Sequence, residues 1–166
     1  DGATNYFEPA SLVRDEAPIS HLADPGYQPE GSYYFTDAIS DNAAEYVRKH
    51  GRENPGKPFF MYVAYTAAHW PMQARPEDIA KYKGKYDVGY EAIRKARFAR
   101  MQEMGLIDPR WGLTPKSDDW NNVKNKDWEA RCMEVYAAMI DTMDHGVGRI
   151  VDSLKETGQY ENTVIL

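Results

Sequence analysis

Residues 57–71 read Lys-Pro-Phe-Phe-Met-Tyr-Val-Ala-Tyr-Thr-Ala-Ala-His-Trp-Pro. From Phe59 to Thr66 the run is apolar nearly throughout, with no alternation between apolar and polar side chains. Such a run is expected to form an inner strand buried on both faces, in a parallel or mixed sheet with helices on either side. Pro71 biases Trp70 towards an extended backbone. His69 then falls in a loop just past the strand's carboxyl end, the edge at which open α/β sheets bind ligands. An imidazole there can donate to an anionic group or move a proton. It can equally be a structural residue that caps a loop carbonyl.

Upstream, Thr36-Asp37 offers an N-cap with an acid in the first turn, where the helix dipole favours negative charge. Ala38, Ile39, Ala43, Tyr46 and Val47 follow at helical spacing. Gly51 and Pro55-Gly56 stop that helix. Helix followed by strand predicts an α/β unit. Residues 1–32 are broken by Pro9, Pro18, Pro25, Gly26, Pro29 and Gly31. They are expected to be an irregular surface loop or part of a cleft wall.

Downstream, a short helix is expected over Pro76–Tyr82. A longer one is expected over Tyr86–Met104, apolar at Tyr90, Ile93, Met101 and Met104 and basic at Arg94, Lys95, Arg97 and Arg100. Residues 106–125 are again irregular. A long helix runs from about Asp127 to Thr157, with its stripe at Val135, Met139, Met143, Val147, Ile150 and Leu154. Gly158 ends it. Thr163-Val164-Ile165-Leu166 opens a β-branched strand inside which the sequence stops, so this end is expected to be a truncation.

Composition narrows the class. The 166 residues are 42% hydrophobic, 28% charged and 13% aromatic, ordinary for a globular chain and rich in rings. A net charge of −6 leaves no basic excess to neutralise phosphates, which argues against a nucleic-acid partner. No apolar run approaches the about 18 residues of a membrane span. The first residues have neither the basic nor the apolar region of a signal peptide. The single cysteine, Cys132, allows no internal disulfide.

The segment from Lys57 to Pro71 closely resembles one in bacterial arylsulfatases: Lys-Pro-Phe-Phe, a hydrophobic strand, then Pro/Ala-His-Trp-Pro. Tyr34-x-Thr36-Asp37-Ala38 just upstream is similar to the same family. So is Tyr136-Ala137-Ala138-Met139-Ile140-Asp141-x-Met143-Asp144-x-Gly146-Val147-Gly148-Arg149-Ile150, leading to Asn162-Thr163-Val164-Ile165. The three matches occur in the family's order.

The resemblance implies an α/β fold of the alkaline-phosphatase-like kind, with a large mixed sheet flanked by helices. These 166 residues would be an internal portion of it, incomplete at both ends. Within that portion, 1–32 would be the loop, 33–71 the helix–strand–His unit, 72–125 a helical and irregular insertion, and 126–166 the long helix and next strand. The resemblance also implies sulfuric ester hydrolysis with Ca²⁺ and a formylglycine nucleophile, acting on a small-molecule or carbohydrate sulfate ester. His69 would be the catalytic sulfate contact and Trp70 a substrate contact. The formylglycine motif, the calcium ligands and the active-site lysines would all lie outside this chain. The chain alone is then expected to be inactive and marginal in folding, because its sheet edges stay unpaired. A phosphatase or phosphodiesterase of the same superfamily, or a non-catalytic binding module, are the alternatives.

Other clusters carry weaker signals. Cys132 lacks the Pro and Arg of the formylglycine motif and falls within a helix, where a free cysteine is usually a small packed residue. Asp141 and Asp144 lie three apart on the long helix, and Asp118-Asp119 is a loop pair. Neither offers the about six converging oxygens that calcium takes. His21, His50 and His145 have no metal-ligand spacing. The basic face at Arg94–Arg100 could attract an anionic substrate but reads first as a solvated face. Trp111, Trp120 and Trp128 could stack on rings or simply pack.

Overall fold

The computed structural model describes residues 4–116 and 119–166. In chain order it contains β1 (Leu12–Arg14), β2 (Ala17–Ile19), α1 (Phe35–Glu53), α2 (Pro76–Ala80), α3 (Tyr90–Glu103) and α4 (Lys126–Glu156). Single 3-10 turns lie at Trp120–Asn122 and Tyr160–Asn162. The chain divides into two compact units, one of residues 1–74 with 139–166 and one of residues 75–138.

In the first unit α1 packs on the C-terminal half of α4. The contact is close because small residues line it. Ala38, Ser40, Ala43 and Ala44 are buried on α1, and Thr142, Gly146 and Ser153 on α4. A Cβ on Gly146 would overlap Ser40 Oγ and come within 2.9 Å of Ser40 Cβ. Only glycine lets the helices approach this far. Polar clamps flank the seam. Arg149 Nη2 donates to Asp37 at 2.8 Å, and its Nε pairs with Asp41 at 2.9 Å, close enough for charge attraction but not aligned as a hydrogen bond. Arg48 meets Glu156 at 2.8 Å near the far end of the seam.

Three expectations shift at this seam. Met139 and Leu154 of the expected α4 stripe are buried, but the buried face also takes in Ala138, Thr142 and Gly146, whereas Val147 of the stripe is exposed. Bulk marks the stripe in the sequence, but close approach puts the small residues inside. On α1, Tyr46 is likewise exposed. The helix begins at Phe35, with Tyr34 at the N-cap position and no side-chain cap, so Thr36 is not the cap but a fully buried residue of the first turn.

The segment 59–66 is extended but pairs with no strand among the described residues. Phe59, Met61, Val63 and Tyr65 are half-buried, while Phe60 and Tyr62 are 93% and 82% exposed. Burial on both faces is therefore not observed. One face is held on α1 by a Tyr65–Ser40 hydroxyl contact of 2.8 Å and by edge-on packing of Phe59 against His50. The opposite face has nothing against it among the described residues. Residues 163–166 are likewise extended and unpaired.

The expected irregular stretch 1–32 contains the β1–β2 hairpin, paired antiparallel with Val13 opposite Pro18. Asp15 and Glu16 take positive φ of 49° and 69° at its two-residue turn, the backbone such a tight hairpin demands. Pro18 sits at a position whose N–H faces away from the partner, so the ladder loses no bond. Arg14 leaves the hairpin to form a two-bond pair with Asp24 and to reach Asn42 and Tyr46 of α1.

In the second unit α2 and α3 form within the expected segments, α3 starting at Tyr90 rather than Tyr86. No residue of α3 is fully buried. Single polar contacts tie the unit instead. Glu134, 2% exposed on α4, accepts the Gly84 N–H at 2.6 Å and pairs with Arg131 at 2.9 Å. Arg131 also reaches Asp87, and the Tyr90 hydroxyl donates to Glu129 at 3.0 Å.

Candidate active site: the Thr66–Gln73 turn

At the end of the extended segment, the His69 N–H donates to Thr66 O at 2.9 Å and closes a turn over Ala67 and Ala68. The Ala67–Ala68 and Trp70–Pro71 peptide bonds are cis. Tyr6 lies beneath this turn with no solvent exposure. Its hydroxyl donates to Thr66 O at 2.6 Å and lies 3.2 Å from His69 O. Its backbone N–H donates to Gln73 Oε1 at 2.8 Å, and its carbonyl accepts the Phe35 N–H at 2.8 Å. Tyr34, also buried, donates from its hydroxyl to Gln73 O at 2.8 Å, and its ring packs on Tyr6 and Phe7. Two buried tyrosines thus fasten both sides of the loop that carries His69. Burial pushes the Tyr6 phenol above its ordinary range, so it stays a donor.

His69 and Trp70 both face solvent, Trp70 at 57% exposure. His69 Nδ1 lies 2.6 Å from Trp70 O. A carbonyl oxygen only accepts, so Nδ1 carries the proton in this contact. Nε2 has no hydrogen-bond partner among the described residues, and is an acceptor in the neutral ring and a donor in the imidazolium. The two readings of His69 therefore coexist: one nitrogen caps a loop carbonyl and the other is available for chemistry. Tyr6 carries no signal of its role in the sequence: the aromatic pair Tyr6-Phe7 in a proline-broken stretch does not point to a site 60 residues away.

The remaining candidates do not join this turn. Cys132 is half-buried within α4, and burial together with Glu129 raises its thiol above the ordinary range. That suits a packing residue rather than a nucleophile. Among the described residues no three His, Cys, Asp or Glu side chains converge as a metal would need. Asp37 and Asp41, the acids nearest to one another on α1, are both engaged by Arg149. These donors do not fit a calcium site. Asp118 lies outside the described residues, and Asp119 caps the Asn121 N–H. His50 Nε2 donates to Lys57 O at 2.9 Å, and His145 Nδ1 to Asp141 O at 2.8 Å. Trp120 packs edge-on against Tyr90 at 4.9 Å, while Trp111 and Trp128 remain largely exposed.

The sulfatase family model matches residues 6–166, nearly the whole described chain. The chain belongs to the sulfatase family. An uncharacterized sulfatase of Schizosaccharomyces pombe is 34% identical over 166 residues, covering 96% of this chain and 28% of that protein. An arylsulfatase of Klebsiella aerogenes is 32% identical over 146 residues, covering 81% of this chain and 29% of the relative. A crystal structure of Ps i-CgsB aligns over 84% of this chain and 21% of its own, with 30% identity and a TM-score of 0.48. The chain thus spans less than a third of the length of these relatives. This segment of the family holds four α-helices, one hairpin and two segments, 59–66 and 163–166, that pair with no strand among the described residues. No helix is long and apolar enough to cross a membrane among the described residues.

Proposed function

We propose that this chain is an internal portion of the catalytic domain of a sulfuric ester hydrolase, in which His69 contacts the sulfate group and Trp70 the rest of the substrate. Family membership over residues 6–166 supports the reaction class. The observation that supports the residue assignment is an exposed His69 whose Nδ1 lies 2.6 Å from Trp70 O, a contact in which Nδ1 holds the proton. Protonated at Nε2, the ring donates to a sulfate or leaving-group oxygen. Unprotonated there, it accepts a proton. The pinned turn keeps the ring from having to be ordered during the reaction. The nucleophile, a formylglycine, and the Ca²⁺ ligands come from residues outside these 166, and the substrate is a sulfate ester of a sugar or an aryl alcohol.

A charge-assisted hydrogen bond of this kind is worth roughly 1.5–3 kcal/mol, or about ten- to a hundred-fold in rate. In the complete polypeptide that carries this chain, His69→Ala is expected to lower kcat/KM for 4-nitrophenyl sulfate by ten-fold or more. An unchanged value removes His69 from the site. The isolated 166 residues are expected to turn over no sulfate ester above background, and metal-dependent turnover by them would contradict the placement of the nucleophile elsewhere.

A further inference from the structure

Past His69 the chain runs through exposed Trp70 and Pro71 to Met72, Gln73 and Ala74. Among the described residues, every hydrogen bond that ties residues 70–74 to another segment belongs to Gln73. Its side-chain Oε1 accepts the Tyr6 N–H at 2.8 Å, and its main-chain O accepts the Tyr34 hydroxyl at 2.8 Å. A backbone N–H only donates, so the amide is held with its oxygen towards Tyr6. A half-buried side chain needs no amide for packing alone, since an apolar chain of the same length would fill the same space.

Tyr6 joins this contact to the turn. Its phenol donates to Thr66 O at 2.6 Å and lies 3.2 Å from His69 O, while its N–H holds Gln73. One tyrosine thus touches the loop on both sides of His69, and the Gln73 amide is its only tie on the far side. Tyr6 has no solvent exposure, so without Oε1 its N–H would be buried and unpaired. Leaving a buried donor unmade is costly, and the residue is driven to shift until it finds an acceptor. The partners of its hydroxyl, Thr66 O and His69 O, shift with it.

We infer that Gln73 is a positioning residue for His69, a role that rests on the reading of His69 as the sulfate contact. Through Tyr6 it sets where the imidazole stands, and it does not itself touch substrate.

A double-mutant cycle in the complete polypeptide that carries this chain tests this, with 4-nitrophenyl sulfate as the substrate. Gln73→Met keeps the length and bulk of the side chain but offers the Tyr6 N–H no oxygen. It is expected to lower kcat/KM five-fold or more. In the His69→Ala background the same substitution is expected to change kcat/KM by less than two-fold, because no imidazole is left to position. A purely structural role would lower the active fraction equally in both backgrounds. Tyr34→Phe loses only the hydroxyl tie to Gln73 O, and carries the test if Gln73→Met does not fold. It is expected to lower kcat/KM two-fold or more and to be equally silent without His69. An unchanged kcat/KM in a folded Gln73→Met overturns the role of Gln73, and so do equal losses in the two backgrounds. If His69→Ala alone has no effect, the reading of His69 falls and the role of Gln73 falls with it. If His69→Ala alone costs ten-fold or more and the two losses multiply, only the role of Gln73 falls.

Discussion

The two units of this sulfatase segment are held together by different means. In the unit that carries His69, helices meet through Ser40 and Gly146 at a distance only glycine permits, and buried tyrosines pin the loop. In the unit of residues 75–138, α3 buries no residue completely and individual hydrogen bonds onto α4 do the joining. Tight packing leaves few arrangements for a side chain at its edge, and that is where the candidate catalytic imidazole stands. Loose packing leaves open cavities along α3.

The largest expected effect breaks the tight seam. Gly146→Val drives a branched side chain into Ser40 and is expected to cost about 3 kcal/mol, read as a lower midpoint in urea. Gly148→Ala, two residues on and facing open space, is expected to stabilise by up to about 1 kcal/mol as helix propensity favours alanine. Equal effects at the two glycines would show that the seam is not close-packed in solution.

Alkaline titration separates the units next. Tyr6, Tyr27, Tyr33 and Tyr65 in the first unit all have raised phenol pKa values, burial being the leading cause, with Tyr33 pushed up to about 12. In the second unit Tyr86 is raised by burial and Glu134. A folded value above the unfolded one means that the neutral form favours folding. That contribution is complete below about pH 10 and is lost as pH rises through the folded values. The first unit, with more such groups, is expected to lose its amide protection at lower pH than the second. The reverse order would contradict the assignment of these phenols as buried donors and acceptors.

A smaller effect sharpens the account of the loop. Tyr6→Phe keeps the ring but removes the donor to Thr66 O, at an expected cost of about 1 kcal/mol in urea unfolding. Because the ring still fills its place, the loss should come with broadened amide signals at residues 66–73 rather than across the unit. A uniform loss would assign Tyr6 to general packing.

Much of this was legible in the chain. Gly, Pro and acidic residues placed the helices to within a few residues, because those signals act locally. The His-Trp-Pro turn was legible because a strand-sized apolar run ends there. What escaped has physical causes. The β1–β2 hairpin turns at Asp15-Glu16, which lacks the glycine or asparagine that usually marks positive φ. Large residues mark only part of the buried face of α4, Met139 and Leu154, whereas close helix approach adds Thr142 and Gly146. Tyr6 meets its partners Thr66 and Gln73 only through the tertiary fold, and no spacing rule spans that distance. Phe60 and Tyr62 read as buried because apolar, but nothing among the described residues covers that face.

The central claim is that a turn pinned from below fixes which nitrogen of His69 faces outward. The ¹⁵N spectrum of the neutral His69 ring tests it most directly. The account predicts a proton-bearing Nδ1 and a bare Nε2, with Nε2 the nitrogen that shifts when a sulfate ester is added to the complete polypeptide. A ring that carries its proton on Nε2, or exchanges freely between the two forms, would contradict it.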